Sequence, residues 1–429
     1  GRRQRQMCIR DSVAAIPRVG GVGMVLGVLL PILLWVPLTQ EVKSLLAGIG
    51  ILFIFGVLDD RGDLDYRLKF LGQFLAAMVV VGYGGIVIEV VPFFGLDPVS
   101  PWFSMPLTVI TIVAVTNSVN LADGLDGLAA GTMLLSLAGM ALLAYLGDGL
   151  DILIVMLAVM GAVVGFLRFN TYPARIFMGD TGSQFLGFSV VTLLIILTQQ
   201  TNPALNPALP LLLLGVPLFD TAFVIIRRIY YGKSPFVADK NHVHHQLLAL
   251  NFDHYEAVII IYLAQALFVT SAILLRYHSD LMVISVWLLA NLALAFSLVM
   301  AGLVQWQAHP ENAQSVFARL LSIGKGEFLR RMALAILLTG VTLLLFAGPL
   351  LTGSVDRDFG ITAGGLFLLL LLRLLLGSRV WFISLRLLMF VAIAFVLYLL
   401  SEYPSSIYPI GEGVEYAYFG LIIAALVIG

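Results

Sequence analysis

Residues 151–169 read DILIVMLAVMGAVVGFLRF, and this stretch decides the fold. Between its aspartate and its arginine lie sixteen residues without a charge. The apolar residues are continuous, without the alternation of a membrane β-strand, and about 20 of them suffice to cross a bilayer as a helix. Runs of this kind recur at 20–38, 44–58, 70–88, 103–120, 125–146, 151–169, 182–199, 208–230, 256–276, 281–305, 332–351, 359–376, 380–400 and 416–429. The expected fold class is all-α: a polytopic integral-membrane helical bundle of about 14 transmembrane helices.

Composition agrees. Of 429 residues, 60% are apolar and only 11% charged, against roughly 25% charged in an ordinary soluble domain. Mean hydropathy is +1.02. A water-soluble globule could not hide so much apolar surface. Intrinsic disorder is excluded by the same numbers. So is nucleic-acid binding through a basic surface, since the net charge is -1. A single cysteine, Cys8, allows neither an intramolecular disulfide nor a cysteine metal cage. The first ten residues are basic and polar and lack the apolar core of a signal peptide.

Basic residues orient the chain. Twenty lie before the first run or in the loops after even-numbered runs with their helix ends, three (Lys43, Arg276 and Arg357) lie on the opposite side, and Arg386 sits inside a run. The even loops are therefore expected in the cytoplasm.

Four polar clusters interrupt the apolar pattern, each after an even-numbered run. The first is Asp59-Asp60-Arg61-Gly62-Asp63, with Lys69 close behind. The second contains Asn117, Asn120, Asp123 and Asp126, spaced by three residues and so able to line one helical face. The third is Asn170, then Gly179-Asp180-Thr181-Gly182-Ser183. The fourth is His242-Val243-His244-His245 in a basic loop. Each has a plain structural reading: a solvated helix end, a helix cap with a glycine turn, an N-cap, a solvated histidine run. Zinc ligation by the histidines is a further option, but no cysteine accompanies them, which favours contact with an anion. Gly232-Lys233-Ser234 is not a phosphate loop, because Arg227 stands where that motif needs glycine.

Together the clusters point to specific chemistry. Ionisable groups at the end of an apolar run are costly and mark function. Aspartates and asparagines are hard oxygen donors suited to Mg²⁺, which usually shares itself with substrate phosphates. Histidine and arginine suit phosphate oxygens. A diphosphate substrate is expected, with a lipid as the second substrate.

The order and spacing of these motifs resemble the polyprenyl-phosphate N-acetylhexosamine-1-phosphate transferases, of the glycosyltransferase family 4 type, which begin cell-envelope glycan synthesis. The matching residues are Asp59 and Asp60, the stretch 117–127, Asn170 with Pro173 and 177–183, and 242–245; the resemblance covers roughly 11–305. His-x-His-His after Ser234-Pro235-Phe236 is more similar to the branch using UDP-N-acetylglucosamine than to the peptidoglycan branch using UDP-N-acetylmuramoyl-pentapeptide. The resemblance implies Mg²⁺ or Mn²⁺ at Asp180 and Asn120, and Asp59 and Asp60 as catalytic groups at the lipid phosphate. It implies substrate contacts from Asn117, Asp123, Asp126, Asn170, Lys69, His242, His244 and His245. The expected partners are a UDP-N-acetylhexosamine, undecaprenyl phosphate and the bilayer, with a homodimer left open. The expected location is a bacterial inner membrane, with the site facing the cytoplasm. The competing class, an ion-coupled transporter, expects midplane charges and repeated halves, and neither is seen here.

The expected organisation is a non-native segment at 1–12, a transferase core at 13–305, a polar linker at 306–331 and further transmembrane helices of unknown role at 332–429. The family normally has a span before the segment matching 16–21, and this chain ends within an apolar run. A fragment truncated at both ends is therefore expected.

Overall fold

In lipid a backbone must satisfy its own N–H and C=O groups, and a helix does so within one segment. The structure, a computed structural model, describes residues 16–304 apart from 63, 96, 231 and 233–241, together with residue 308. The described residues form α1 (Gly20–Trp35), α2 (Gln40–Gly62), α3 (Tyr66–Gly82), α4 (Pro101–Ala122), α5 (Leu128–Leu146) and α6 (Leu150–Asn170). They continue as α7 (Gly179–Ile196), running into a π-helical turn Leu197–Thr201, then α8 (Leu209–Leu213), α9 (Gly215–Tyr230), α10 (Val243–Ala249), α11 (His254–Leu274) and α12 (Asp280–Leu303). No strand occurs among the described residues.

Among the described residues, seven helices are long and apolar enough to cross a membrane: α2, α4, α5, α6, α7 with its π turn, α11 and α12. The expectation of about fourteen spans is met only to that extent. Expected spans one and three are shorter helices of 16 and 17 residues. The last four expected spans, the 306–331 linker and the 1–12 segment lie outside the described residues.

The eighth expected span, 208–230, is broken in two at Leu214. Pro217 is the cause. It has no N–H to give the Leu213 carbonyl, and its ring would clash there. A side chain from another helix fills the gap. Gln265 of α11, fully buried, donates from Nε2 to Leu213 O (2.8 Å) and accepts at Oε1 from Val216 N (3.0 Å).

α7 is the hub. It packs against α1, α2, α4, α5 and α6. In its most apolar window 94% of the residues are buried, against 17–72% for the other six candidate spans. Its far end, the π turn, is tied to the loop after α3: Gln199 Oε1 accepts from Glu89 N (3.0 Å) and Val90 N (2.9 Å). Its near end carries Asp180, and there the polar clusters meet.

Candidate active site

The first turn of α7 is fixed from two sides. Gly179 has φ +71°, a left-handed conformation that suits glycine. Gly56 of α2 lies so close that a Cβ there would come within 2.5 Å of Thr181 Cα. Asp60, at the end of α2, then caps the helix. Its Oδ1 accepts from Asp180 N (2.9 Å), and its Oδ2 accepts from Thr181 N (3.1 Å) and Thr181 Oγ1 (2.6 Å). A carboxylate is well placed among the free N–H groups of a helix start. Asp60 thus ties the end of α2 to the first turn of α7.

Asp59, fully buried, faces the other way. Its Oδ1 accepts from Leu64 N (2.7 Å) and its Oδ2 meets Lys69 Nζ (2.5 Å). The same ammonium lies 2.8 Å from Asp180 Oδ2. Two carboxylates from α2 and α7 thus converge on one cation supplied by α3. This donor set fits a metal as well: hard oxygens already aimed at a common positive charge are what Mg²⁺ requires. Asn120 Oδ1 lies 3.1 Å from Ser183 Oγ, which is also 3.1 Å from Gly179 O, so Asn120 stands beside the first turn of α7. Among the described residues no group of three or more His, Cys, Asp or Glu side chains is gathered as a ready-made metal cage.

Three expected substrate residues are engaged within the protein. Asn117 Nδ2 donates to Gln73 Oε1 (2.6 Å) and Val113 O (2.8 Å). Asn170 ties two loops, accepting from Gly127 N (2.9 Å) and donating to Ile176 O (3.0 Å). Asp126 Oδ2 accepts from Ala174 N (2.9 Å). Asp123 is different. Burial, and then the charges of Asp180, Asp126 and Asp60, push its carboxyl from the ordinary 3.8 up to about 7.

The histidines complete the site. His244 packs on Gly124, where a Cβ would come within 2.2 Å of its Nε2, and so joins the fourth cluster to the second. Its ring is stacked 5.7 Å from His242 and lies 4.2 Å from His245. Burial, then the neighbouring charge of His245, lower it from the ordinary 6.5 to about 3, so it stays neutral. His242 Nδ1 lies 2.8 Å from Asp220 Oδ2, and Asp220 Oδ1 accepts from Val243 N (2.7 Å). Asp220 and His242 are both buried. Beside them an apolar cavity of about 240 Å³ is lined by Val216, Phe219, Val243, Leu247 and Ile261 among others.

The sequence reading missed Asp220, Gln73 and Gln265. All three carried one signal, a polar side chain inside an apolar run. Asp63, Lys233, Lys240 and Asn241, neighbours of the expected motifs, lie outside the described residues.

Residues 42–198 match the family model described as Glycosyl transferase family 4. The chain is 40% identical over 271 residues to a Bacillus subtilis protein named as a probable undecaprenyl-phosphate N-acetylglucosaminyl 1-phosphate transferase, covering 62% of this chain and 75% of that one. It is 28% identical over 291 residues to the Yersinia pestis undecaprenyl-phosphate alpha-N-acetylglucosaminyl 1-phosphate transferase, covering 65% and 78%. It is 35% identical over 286 residues to the Mycolicibacterium smegmatis decaprenyl-phosphate N-acetylglucosaminephosphotransferase, covering 58% and 70%. A helical membrane bundle that gathers its carboxylates and histidines at one end, with this extent of similarity, belongs to the glycosyl transferase family 4 enzymes.

Proposed function

We propose that the chain transfers N-acetylglucosamine 1-phosphate from UDP-N-acetylglucosamine to undecaprenyl phosphate and releases UMP. The observation that carries this reading is the convergence of Asp59, Asp180 and Lys69 on one point, within a site walled by the Asp123 and histidine loops. The names of the relatives support the acceptor and the transferred sugar. The excess of basic residues in the even loops supports a site facing the cytoplasm, and the family match at 42–198 supports a transferase core within residues 13–305.

An oxygen of the acceptor phosphate attacks the β-phosphorus of the donor. The bond from that phosphorus to the bridging oxygen breaks, and the oxygen leaves with UMP. A phosphate monoester has a second pKa of about 6, so the nucleophile is largely dianionic at neutral pH without a base. Charge neutralisation and alignment then carry the catalysis. Mg²⁺ held by Asp180 and Asn120 would supply positive charge to the diphosphate. Asp59 would orient the cationic groups against the acceptor phosphate. Lys69 would follow the phosphate charge, and His242, His244 and His245 would face the diphosphate, with Asp123 at the nucleotide sugar. The apolar cavity beside Val243 offers the first prenyl units a dry surface.

The test is UMP release from membranes supplied with undecaprenyl phosphate and a panel of UDP-sugars. UDP-N-acetylglucosamine should be the productive donor. Release only from UDP-N-acetylmuramoyl-pentapeptide would move the enzyme to the peptidoglycan branch. Release from no donor would overturn the reading.

A further inference from the structure

The histidines differ in their surroundings. His244 is wedged between two other imidazoles and a glycine backbone. His242 instead has a buried carboxylate at Nδ1. That carboxylate stands on α9, the helix whose start is set by the Pro217 break, and Gln265 satisfies both backbone groups the break exposes. Gln265 Nε2 also lies 3.0 Å from Ser136 Oγ, so the break is fixed to α5 as well. Six residues after Leu214 comes Asp220, which takes hold of the histidine segment at two points, the His242 ring and the Val243 N–H.

We propose that Asp220 is a positioning residue for His242, placed by the Gln265-held break, and that it fixes the imidazole with Nδ1–H toward Asp220 and Nε2 toward the diphosphate. The inference rests on the transferase reading for the identity of the anion. A second-layer carboxylate on histidine sets both ring orientation and tautomer. Facing phosphate oxygens, Nε2 must donate, so the bound imidazole carries a proton on each nitrogen. Asp220 supplies the compensating charge within hydrogen-bond reach, and the pair meets the anion as a charge-assisted donor. Asp220 touches no substrate itself.

A double-mutant cycle on UMP release tests this. Asp220→Asn keeps one acceptor oxygen but loses the charge, and should lower kcat/KM by about ten- to a hundred-fold, the value of one charge-assisted hydrogen bond. His242→Gln should cost at least as much. The double variant should be no worse than His242→Gln alone, because Asp220→Asn keeps an oxygen for the Val243 N–H and gives up only the charge at the ring. Asp220→Glu should restore part of the loss. Losses that multiply across the two sites would overturn the proposal. A second measurement uses the unmutated protein: nitrogen NMR with labelled histidine should find a proton on Nδ1 of His242. A bare Nδ1 would overturn the proposal even if the variants fail to fold. Absence of UMP release by the unmutated protein would instead sink the transferase reading and leave the NMR result to stand by itself.

Discussion

Lys69 places its ammonium 2.8 Å from the carboxylate of Asp180, joining α3 to the start of the central helix. With Asp59 on its other side, the lysine occupies the position where two carboxylates would otherwise repel. A divalent ion at Asp180 would meet the same oxygens that the lysine holds.

Replacing Lys69 by methionine should therefore tighten divalent binding in the absence of substrate. A neighbouring unit charge shifts a carboxylate's proton affinity by roughly one to three units, so a gain of about tenfold or more is expected. Titration of the purified protein with Mn²⁺, followed by its paramagnetic resonance, gives the affinity directly. Lys69→Arg, which keeps the charge, should behave like the unmutated protein. Equal or weaker Mn²⁺ binding in Lys69→Met would show that the lysine does not compete with the metal. Asp180→Asn should lose both metal binding and turnover while melting normally.

Asp60 should matter first for stability. Its three hydrogen bonds to Asp180 and Thr181 hold the start of α7. Loss of an N-cap costs about 1–2 kcal/mol, and Asp60→Ala should lower the melting temperature in detergent accordingly. Asp60→Asn, which keeps an acceptor oxygen, should lose less. A melting temperature unchanged in Asp60→Ala would mean that the cap is not what anchors this helix.

Gly56→Ala puts a methyl group against backbone, 2.5 Å from Thr181 Cα, so α7 must shift. Overpacking of this kind costs roughly 1–3 kcal/mol, and the displacement should fall on Asp180. Turnover should drop more than tenfold, the effect of a misplaced reacting group. Gly50→Ala on the same helix meets nothing within 4 Å and should be silent. Comparable kinetics in the two variants would refute the contact.

The neutrality of His244 has a sign that can be measured. Its folded pKa of about 3 lies below the ordinary 6.5, mainly through burial. The unfolded chain therefore binds a proton in that window that the folded chain refuses. Stability contributed by this site is whole above pH 6.5 and is lost as pH falls toward about 3. Melting curves across that window should show a shallower acid decline in His244→Gln than in the unmutated protein. Identical slopes would mean that His244 protonates freely in the folded state.

Helix positions among the described residues, and the four polar clusters that interrupt them, were legible from the sequence because both depend on local composition. An apolar run ending in Asp59-Asp60 announces a helix end and a costly charge at once. Roles were less legible, since they depend on what each side chain meets across the bundle. Asn117, Asp126 and Asn170 are expected as substrate contacts, and only the folded bundle shows their partners within the protein, Gln73, Ala174, Gly127 and Ile176. Asp220 was hidden within an apolar run read as one unbroken span. Pro210, Gly215 and Pro217 marked the break there, and a lone carboxylate inside an apolar run is a functional signal in its own right.

The enclosure of α7 also constrains how the protein is made. Its five neighbours, α1, α2, α4, α5 and α6, all precede it in the chain and leave the ribosome first. A ring cannot be closed before the helix it must surround has arrived. The earlier helices can pair among themselves first, as α2 does with α3 and α1 with α6, and α7 then enters bearing Asp180, Thr181, Ser183 and Gln184. Those polar groups are poorly suited to lipid on their own, and each gains its partners only as the wall draws in. The cluster of Asp59, Lys69 and Asp180 is therefore assembled only once α7 is in place, and the histidine segment, which follows α7 in the chain, is made later still.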